Sequence, residues 1–253
     1  MYATERQQQI LARTRSQGRA EVKSLAEILD VTPETVRRDL TALERRGLVQ
    51  RVHGGAVPVD RQPFEPALAD REGRMAAHKD RIAKAALDEL PDGGSIILDA
   101  GTTTARLAQM LPSGIELTVV THALPVAMLL ANRPGIRLHL VGGHVRPQTL
   151  AAVGGWAQQA IAEIHADVVF LGTNGISVER GLTTPDLTEA QVKHALVGAA
   201  RRTVVLADHT KVGRAEFAHV APLDVVDTLI TDSDIDPDLA EDLEAAGVAV
   251  VRA

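Results

Sequence analysis

The stretch SIILDAGTTTARLAQMLPSGIELTVVTHALPVAMLLANRPGIRLHLVGG, residues 95–143, alternates short β-rich apolar runs with helical segments. Strands that alternate with helices are typical of a mostly parallel sheet covered by helices. The sequence therefore predicts an α/β body. The alternation continues in ADVVFLGT (166–173), TEAQVKHALVGAA (188–200), TVVLAD (203–208) and DTLITD (227–232).

The composition is that of a globular chain. Its 253 residues, 45% of them hydrophobic and 24% charged, are enough for two domains with a sizeable core. The apolar runs fall well short of the roughly 18 residues that a membrane helix needs, and the N-terminal MYATERQQQ lacks an apolar signal core. The absence of cysteine excludes disulfides, thiol catalysis and cysteine-ligated metals. We therefore expect a cytoplasmic protein without membrane association.

Charge is divided unevenly along the chain. Residues 1–58 carry ten Lys and Arg against seven Asp and Glu, a net charge of +3, whereas the remainder carries −9. A basic segment on an acidic body suggests a small nucleic-acid module joined to a second domain. A net charge of +3 is also within ordinary variation for a short segment, so charge alone leaves nucleic-acid binding open.

The basic segment carries start and stop signals for three helices. The predicted helices are residues 5–17 (cap Thr4, stop Gly18), 25–29 (cap Ser24) and 33–46 (cap Thr32, stop Gly47). A short turn separates the second and third, and such a helix-turn-helix places its second helix in the DNA major groove. Val36, Leu40 and Leu43 recur at helical spacing and are predicted to pack inward.

The polar face of the third helix and the segment behind it supply the predicted DNA contacts. LVQRV (48–52), a glycine tip and AV (56–57) predict a β-hairpin, which is the wing of a winged helix. The predicted contacts are Ser24, Thr32, Thr35, Arg37, Arg38, Thr41, Arg51 and His53. Thr35 and Arg38 are the first candidates for base edges, and the wing residues for phosphate. A protein-binding module with an exposed arginine face would show the same spacing, so that alternative stays open.

Proline and charge dominate the segment PVDRQPFEPALADREGRM, residues 58–75. We predict a winged helix-turn-helix domain over residues 1–58, a linker over 59–74 and a second domain over 75–253. The second domain is predicted to begin with a helix near Met75 that ends at the turn PDGG (91–94).

Polar residues follow most predicted strands of the body, where ligands bind in parallel sheets. The predicted ligand-binding residues are Asp99, Gly101, Thr102, Thr103, Thr104, His122, Gly142, Gly143, Arg146, Asn174, Gly175, Asp208 and Lys211. The three threonines open a helix whose first amides attract anions, which predicts a phosphate cradle, although the GxxxxGK[ST] pattern of a P-loop is absent. An N-cap of threonines without a ligand, and ordinary turns at the other positions, remain the alternative.

The stretch TPETVRRDLTALERRGLVQRVHGGAV, residues 32–57, resembles the winged helix-turn-helix of the DeoR family of bacterial transcription regulators. The body resembles the C-terminal sensor domain of that family over nearly all of residues 75–232. The matching phrases are LDAGTTTARLA, VVTHALPVA, LVGGHVRP, DVVFLGTNGIS, ERGLTT, EAQVKHAL and VVLADHTKVG. The resemblance implies operator binding in which Arg37, Arg38 and the wing carry much of the contact.

The resemblance also implies a fold and a ligand for the body. The family's sensor domain is similar in fold to ribose-5-phosphate isomerase and typically binds a phosphorylated sugar or a related metabolite. The phosphate would then bind at residues 101–104, with Lys211 as its cationic partner. The candidates for binding sugar hydroxyls or positioning Lys211 are Asp99, His122, Asn174 and Asp208.

The chain departs from the family pattern at two positions. His122 stands where asparagine is frequent, and Asn174 replaces an aspartate that many relatives carry before the glycine. Both positions bear on the choice of effector or on the pH dependence of its binding, and neither lies in the phosphate loop.

A sugar-phosphate isomerase fused to a DNA-binding domain is the alternative function. Such a reaction needs a carboxylate base and groups that stabilise an enediolate. The loop GTNGIS (172–177) contains no carboxylate, and the glycine-rich lysine loop of those isomerases has no match. Asp99 and Asp208 remain as carboxylates, but we expect no enzymatic activity.

Two further classes of site are not expected. The nine histidines show no HExxH or paired spacing, so we predict no metal and no cofactor. Only five residues are aromatic, too few for a platform that stacks single-stranded nucleic acid. They are Tyr2, Phe64, Trp156, Phe170 and Phe217.

The sequence as a whole predicts an effector-controlled transcription repressor. It would bind double-stranded operator DNA as a homo-oligomer, a dimer or a tetramer, because one module of this size makes few base contacts. A phosphorylated sugar would shift the oligomer to a state that no longer matches the operator.

Overall fold

The computed structural model describes residues 3–45, 48–52, 54–58 and 66–253. The chain divides into two compact units, Met1–Pro66 and Ala67–Ala253. Helix α4 (Leu68–Glu72) lies in the segment 59–74, which was predicted as a linker. A helix of five residues is too short to show a periodic pattern, so the sequence did not reveal it. The bounds 58 and 75 of the predicted domains stay predictions.

The N-terminal unit combines three helices with a small antiparallel sheet. Its elements are α1 (Ala3–Gln17), β1 (Ala20–Glu21), α2 (Val22–Leu29), α3 (Pro33–Arg45), β2 (Val49–Val52) and β3 (Gly55–Pro58). The sheet has the order β1-β3-β2, so β3 is central and pairs with both neighbours. The predicted helix-turn-helix and hairpin are therefore present, and β1 is an additional strand. Arg46, Gly47 and His53 lie outside the described residues.

The turn between α2 and α3 follows the local signals in the sequence. Asp30 adopts a left-handed conformation with φ 50° and ends α2. Thr32 caps α3, since its Oγ1 accepts a hydrogen bond from the Thr35 amide at 3.2 Å. The hydrophobic core of the unit is formed by buried residues that include Ile10, Leu25, Leu29, Val36, Leu40, Leu43 and Val49.

Two predicted helix caps are wrong. Helix α1 begins at Ala3, so Thr4 lies inside it. Helix α2 begins at Val22, so Ser24 lies within its first turn. The Val22 amide donates to the carbonyl of Gly54 in the wing at 2.9 Å, and this tertiary bond satisfies a group that a capping side chain would otherwise serve.

The C-terminal unit is built on a seven-stranded sheet. Its strands are β4 (Ser95–Leu98), β5 (Leu117–Thr121), β6 (Ile136–Leu140), β9 (Ala166–Gly172), β12 (Ala200–Leu206), β14 (Thr228–Thr231) and β15 (Ala249–Arg252). Every neighbouring pair is parallel in the order β15-β14-β12-β9-β4-β5-β6. The predicted α/β fold class with an N-terminal winged helix-turn-helix is thus confirmed.

Helices cover both faces of this sheet. They are α5 (Ala76–Ala85), α6 (Thr102–Met110), α7 (Leu124–Leu130), α8 (Gly155–Ala162), α9 (Leu187–Gly198) and α10 (Pro237–Ala245). In β4, Ile96 and Leu98 enter the core beneath α5, α6 and α7, whereas Ile97 enters the core beneath α8, α9 and α10. Burial on both faces explains why this strand is an uninterrupted apolar run.

Two small antiparallel sheets border the main one. They pair β7 (His144–Arg146) with β8 (Ala151–Val153), and order β10 (Gly175–Ser177), β11 (Gly181–Thr184) and β13 (Ala218–Ala221) as β10-β11-β13. Strands of three or four residues are below the length at which alternation is visible, so the sequence did not predict them. None of the described helices combines the length and apolar character that crossing a bilayer requires.

Candidate functional site

The recognition helix α3 presents its arginines to solvent. Arg37 forms an ion pair with Glu34 one turn earlier, with 3.0 Å between Nη1 and Oε2. Arg38 is exposed, and within the described ranges its side chain makes no hydrogen bond. Arg38 is therefore the arginine of this pair that is open to a partner outside the chain.

The wing is tied to the recognition helix through Arg51. Its Nη1 donates to Thr41 Oγ1 at 3.2 Å, and its amide donates to Glu44 Oε1 at 3.1 Å. The Thr41 hydroxyl in turn donates to the Arg37 carbonyl at 2.9 Å. These bonds place a cation of the wing beside the middle of α3.

The remaining predicted DNA contacts differ in how far their side chains are already engaged by the protein. The hydroxyls of Thr32 and Thr35 lie 2.9 Å apart and hydrogen-bond to each other, so both are engaged in the cap of α3. Ser24 is exposed on α2. His53 lies outside the described residues, and its predicted role is left as a prediction.

A groove between β1, α2 and the wing gathers positive charge. Four cations line it, namely Arg19, Lys23, Arg37 and Arg51, with Glu21 as its acidic residue. Sequence reasoning missed Arg19 and Lys23 because it did not predict β1, which places them beside the wing. The groove widens the basic surface beyond the recognition helix.

A buried aspartate holds α3 in place beneath this surface. Asp39 is 5% exposed, and its carboxylate accepts from Arg6 Nε at 2.5 Å and from Gln7 Nε2 at 3.1 Å. The carboxylate raises the pKa of Arg6 by hydrogen bonding to its guanidinium, an effect that burial opposes. Asp39, which follows Arg37 and Arg38 in the sequence, therefore joins α3 to α1.

In the C-terminal unit, Asp99 follows β4 and is fully buried at the carboxyl end of the sheet. Its Oδ1 lies 2.9 Å from His122 Nε2, and its Oδ2 accepts from the Gly172 amide at 2.8 Å. The His122 Nδ1 donates to the Ala152 carbonyl at 2.8 Å. Three neighbouring strands, β4, β5 and β9, thus converge on one carboxylate.

The cation opposite Asp99 is Lys193 of α9. Lys193 is 2% exposed, and its Nζ forms an ion pair with Asp99 Oδ2 and donates to the Gly172 carbonyl at 3.0 Å. Burial tends to raise the pKa of Asp99, but the charge of Lys193 and the hydrogen bond from His122 outweigh it and lower that pKa to about 2. Asp99 is therefore a carboxylate at physiological pH.

From the Asp99–Lys193 pair, a series of ion pairs of alternating sign continues outward through Glu189 of α9 and Arg146 of β7. Lys193 Nζ lies 3.7 Å from Glu189 Oε1, and Glu189 is also paired with Arg146. Arg146 Nε lies 3.5 Å from Asp186 Oδ1 at the N-cap of the helix. Arg146, which the sequence predicts as an effector ligand, is thus engaged by the protein's own carboxylates.

The loop after Asp99, which the sequence predicts as an anion cradle, leads directly into α6. Gly101 precedes α6 with φ 156°, a backbone conformation that favours glycine. The first amides of α6 lack helical partners, and no side chain caps them. Thr104 Oγ1 donates to the Gly101 carbonyl at 3.0 Å, whereas no hydrogen bond within the described ranges involves the hydroxyls of Thr102 or Thr103.

Two further lysines are buried or partly buried in the C-terminal unit, Lys211 in the turn after β12 and Lys79 on α5. Lys211 closes the 3-10 turn His209–Lys211 after β12, and within the described part of the chain its Nζ has no ion pair. Burial lowers the pKa of Lys211, Asp208 opposes this, and Arg214 adds to it. Lys79 is 5% exposed and donates to the carbonyls of Arg71 and Arg74 at 2.6 and 2.7 Å, and burial lowers its pKa to about 8.

Of the other predicted ligand residues, Asp208 and Asn174 hydrogen-bond within the protein, and the rest are glycines at the start of β10 or before β7. Asp208 caps the turn by accepting from the Thr210 amide at 3.2 Å. Asn174 Oδ1 accepts from Thr184 Oγ1 at 3.1 Å. Gly175 is tightly enclosed, since a Cβ there would lie 2.6 Å from the Arg214 carbonyl oxygen. Gly142 and Gly143 precede β7, with Gly142 exposed.

Sequence reasoning missed Lys193 and Glu189, although both lie in the quoted phrase EAQVKHAL. Their signal was an i, i+4 pair of opposite charge on a helix that packs against the sheet. Such pairs are usually solvated, so spacing alone did not mark them as buried.

Both halves of the chain match models of one family. Residues 74–233 match the DeoR C-terminal sensor domain, and residues 6–62 match the DeoR-like helix-turn-helix domain. The chain belongs to the DeoR family of transcription regulators. This membership confirms the predicted DNA-binding transcription regulator with a sensor domain.

DeoR-family relatives align over nearly the whole chain. The HTH-type transcriptional regulator GlpR of Haloferax volcanii is 39% identical over 99% of this chain and 98% of its own length. The glycerol-3-phosphate regulon repressor of Escherichia coli K12 is 30% identical over 92% of each chain. That these relatives are named as regulators points away from an enzyme.

Among solved structures, ribose 5-phosphate isomerase A of Methanocaldococcus jannaschii is similar to this DeoR-family chain. It is 20% identical, covers 54% of each chain and has a TM-score of 0.40. A likeness of that size is no basis for assigning an activity.

Proposed function

We propose that this protein is a cytoplasmic repressor of a sugar-metabolism operon, released from operator DNA when a phosphorylated sugar binds the C-terminal unit. The observation that carries the proposal is the cradle at the start of α6. Uncapped amides and the hydroxyls of Thr102 and Thr103 there form a site for an anion, beside a fully buried and ionised Asp99. The name of the glycerol-3-phosphate regulon repressor, to which this chain is 30% identical, supports a small phosphorylated ligand.

The geometry favours binding of a polar anion over chemistry on it. In an isomerase, a carboxylate would have to take a proton from carbon near neutral pH. Asp99 has a pKa of about 2, and both of its oxygens contact protein partners, so it is a weak base at neutral pH. We therefore propose a sensor without isomerase activity, and turnover of phosphorylated pentoses by the purified protein would contradict this.

The effector mechanism is a coupling between two sites. A ligand that weakens operator binding must itself bind more weakly to the operator-bound protein, by the same factor. We propose that the regulator binds DNA as a homodimer or tetramer, so that the coupling changes the spacing of two winged domains.

A mobility-shift titration tests this mechanism. Operator fragments, selected from a random library with the full-length protein, are expected to be released by one member of a panel of phosphorylated sugars. The matching unphosphorylated sugars and inorganic phosphate serve as controls and are expected to have no effect. Operator affinity that stays unchanged with every phosphorylated sugar would overturn the proposed effector class.

Arg38→Ala is expected to weaken specific operator binding by about 1–3 kcal/mol, because an exposed arginine near the start of a recognition helix reads base edges. Fluorescence anisotropy on operator and random duplexes measures the change. The matched control is Arg201→Ala, which removes an exposed arginine from the C-terminal unit. An equal loss on operator and random DNA would instead assign Arg38 to phosphate contact.

A further inference from the structure

A second polar cluster lies at the carboxyl end of β14, apart from the anion cradle. It consists of His78 on α5, His209 after β12, and Asp232 and Asp234 after β14. One ligand atom from each residue lies within 4.8 Å of all the others. The regulator's proposed DNA and sugar-phosphate sites use none of these four side chains.

We propose that His78, His209, Asp232 and Asp234 bind one divalent transition-metal ion, with Zn²⁺ as the ion that best suits the set. Two imidazole nitrogens and two carboxylate oxygens are donors that Zn²⁺ accepts, whereas Mg²⁺ and Ca²⁺ prefer oxygen alone. Two carboxylates also balance the charge of a dication.

The distances between the ligand atoms are close to those around a single ion. His209 Nδ1 lies 2.7 Å from Asp232 Oδ1, His78 Nε2 lies 3.0 Å from Asp234 Oδ2, and His78 Nε2 lies 4.0 Å from Asp232 Oδ1. Tetrahedral zinc with bonds of about 2.0–2.1 Å holds its ligand atoms about 3.3 Å apart. The observed separations lie on both sides of that value, so small side-chain movements would complete the site.

The cluster has a rigid inner side and an open outer side. Asp232 is fully buried, and the amides of His209 and Asp234 donate to its carboxylate at 2.8 and 3.2 Å. Such bonds orient a ligating carboxylate before the metal arrives. The side chain of Asp234 is 60% exposed, which leaves a path for the ion from solvent.

The cluster is close in sequence to two lysines, and one of them, Lys211, belongs to the proposed effector site. His209 opens the turn that ends at Lys211, and His78 precedes Lys79. A bound ion would therefore fix the segments that carry both lysines. The proposed metal site does not depend on the proposed effector, whereas the link between the metal and the effector site rests on that proposed function.

Isothermal titration of tag-free, chelator-treated full-length protein with Zn²⁺ tests the site. We expect one ion per chain, and at least tenfold weaker binding in His78→Gln and in Asp234→Asn. Both positions are partly exposed, so we expect both variants to fold, which circular dichroism checks. The control His144→Gln removes an exposed histidine outside the cluster and is expected to bind zinc as the unaltered protein does. A Co²⁺ titration, read by its visible absorption, gives the coordination number.

Three results would overturn the site: no zinc binding, several ions per chain, or equal affinity in all variants. The four residues would then form only a hydrogen-bonded cluster. All of these zinc affinities are measured without sugar phosphate, so they test the metal site even if the proposed effector does not bind. If zinc binds but the sugar-phosphate concentration that releases DNA is the same with and without it, the link to the pocket is wrong and the site remains.

Discussion

Lys193→Met is expected to lower the free energy of unfolding by about 3–5 kcal/mol, because it leaves Asp99 as a buried carboxylate without its cation. Methionine replaces the unbranched apolar stem of the lysine and lacks only the terminal ammonium group, so the loss is mainly one of charge. Chemical denaturation followed by circular dichroism measures the change. The matched control is Lys84→Met, an exposed lysine on α5, which is expected to change stability by no more than about 0.5 kcal/mol.

A double variant separates the ion pair from general packing. Asp99→Asn removes the unpaired charge, so Lys193→Met combined with Asp99→Asn is expected to be less destabilised than the sum of the two single variants. Additive losses would mean that the two side chains contribute independently and that the pair is not a coupled unit.

The Asp99–Lys193 pair also makes the free energy of unfolding depend on pH in the acid range. The pKa of Asp99 falls from 3.8 in the unfolded chain to about 2 in the folded protein. Its contribution is therefore fully present above about pH 3.8 and is lost as the pH falls toward 2. Unfolding measured between pH 5 and 2 is expected to depend less steeply on pH in Asp99→Asn than in the unaltered protein.

The sequence predicted the fold best where local sequence signals and tertiary packing favour the same structure. The alternation of β-rich and helical runs predicted the parallel sheet, because strands such as β4 are buried on both faces and must be apolar throughout. Thr32 and Pro33 predicted the start of α3 because the cap is local. Ser24 misled, since a tertiary bond from Val22 to Gly54 begins α2 earlier than a side-chain cap would.

The candidate site was predicted only in part, for a physical reason. Residues directly after strands, such as Asp99 and Gly101, are placed by the sheet itself, so sequence order reveals them. Lys193 reaches Asp99 from a helix 94 positions away, and whether it points inward depends on packing that spacing does not encode. The same is true of His78 and Asp234, which meet across 156 positions.

Loss of effector response without loss of operator binding is the expected result of altering the anion cradle. Lys211→Ala removes a cation that has no ion pair in the described ranges, and Thr103→Val removes a hydroxyl that is likewise without a hydrogen bond there. A hydrogen bond to a charged group contributes about 1.5–3 kcal/mol, so each variant is expected to need about 10–100 times more sugar phosphate to release DNA. Fluorescence anisotropy of labelled operator measures that midpoint.

Matched variants decide whether these losses belong to the cradle. Ser113→Ala and Lys84→Ala remove an exposed hydroxyl and an exposed cation elsewhere in the same unit, and both are expected to keep the normal midpoint. If Lys211→Ala or Thr103→Val also lost operator affinity in the absence of sugar, the residue would be structural. If the midpoint stayed unchanged, the phosphate would bind elsewhere. A site built from amide dipoles, hydroxyls and one lysine is how a C-terminal region (residues 59–253) of net charge −9 can still attract an anion, because those groups act at contact distance whereas salt screens the distant acidic charges.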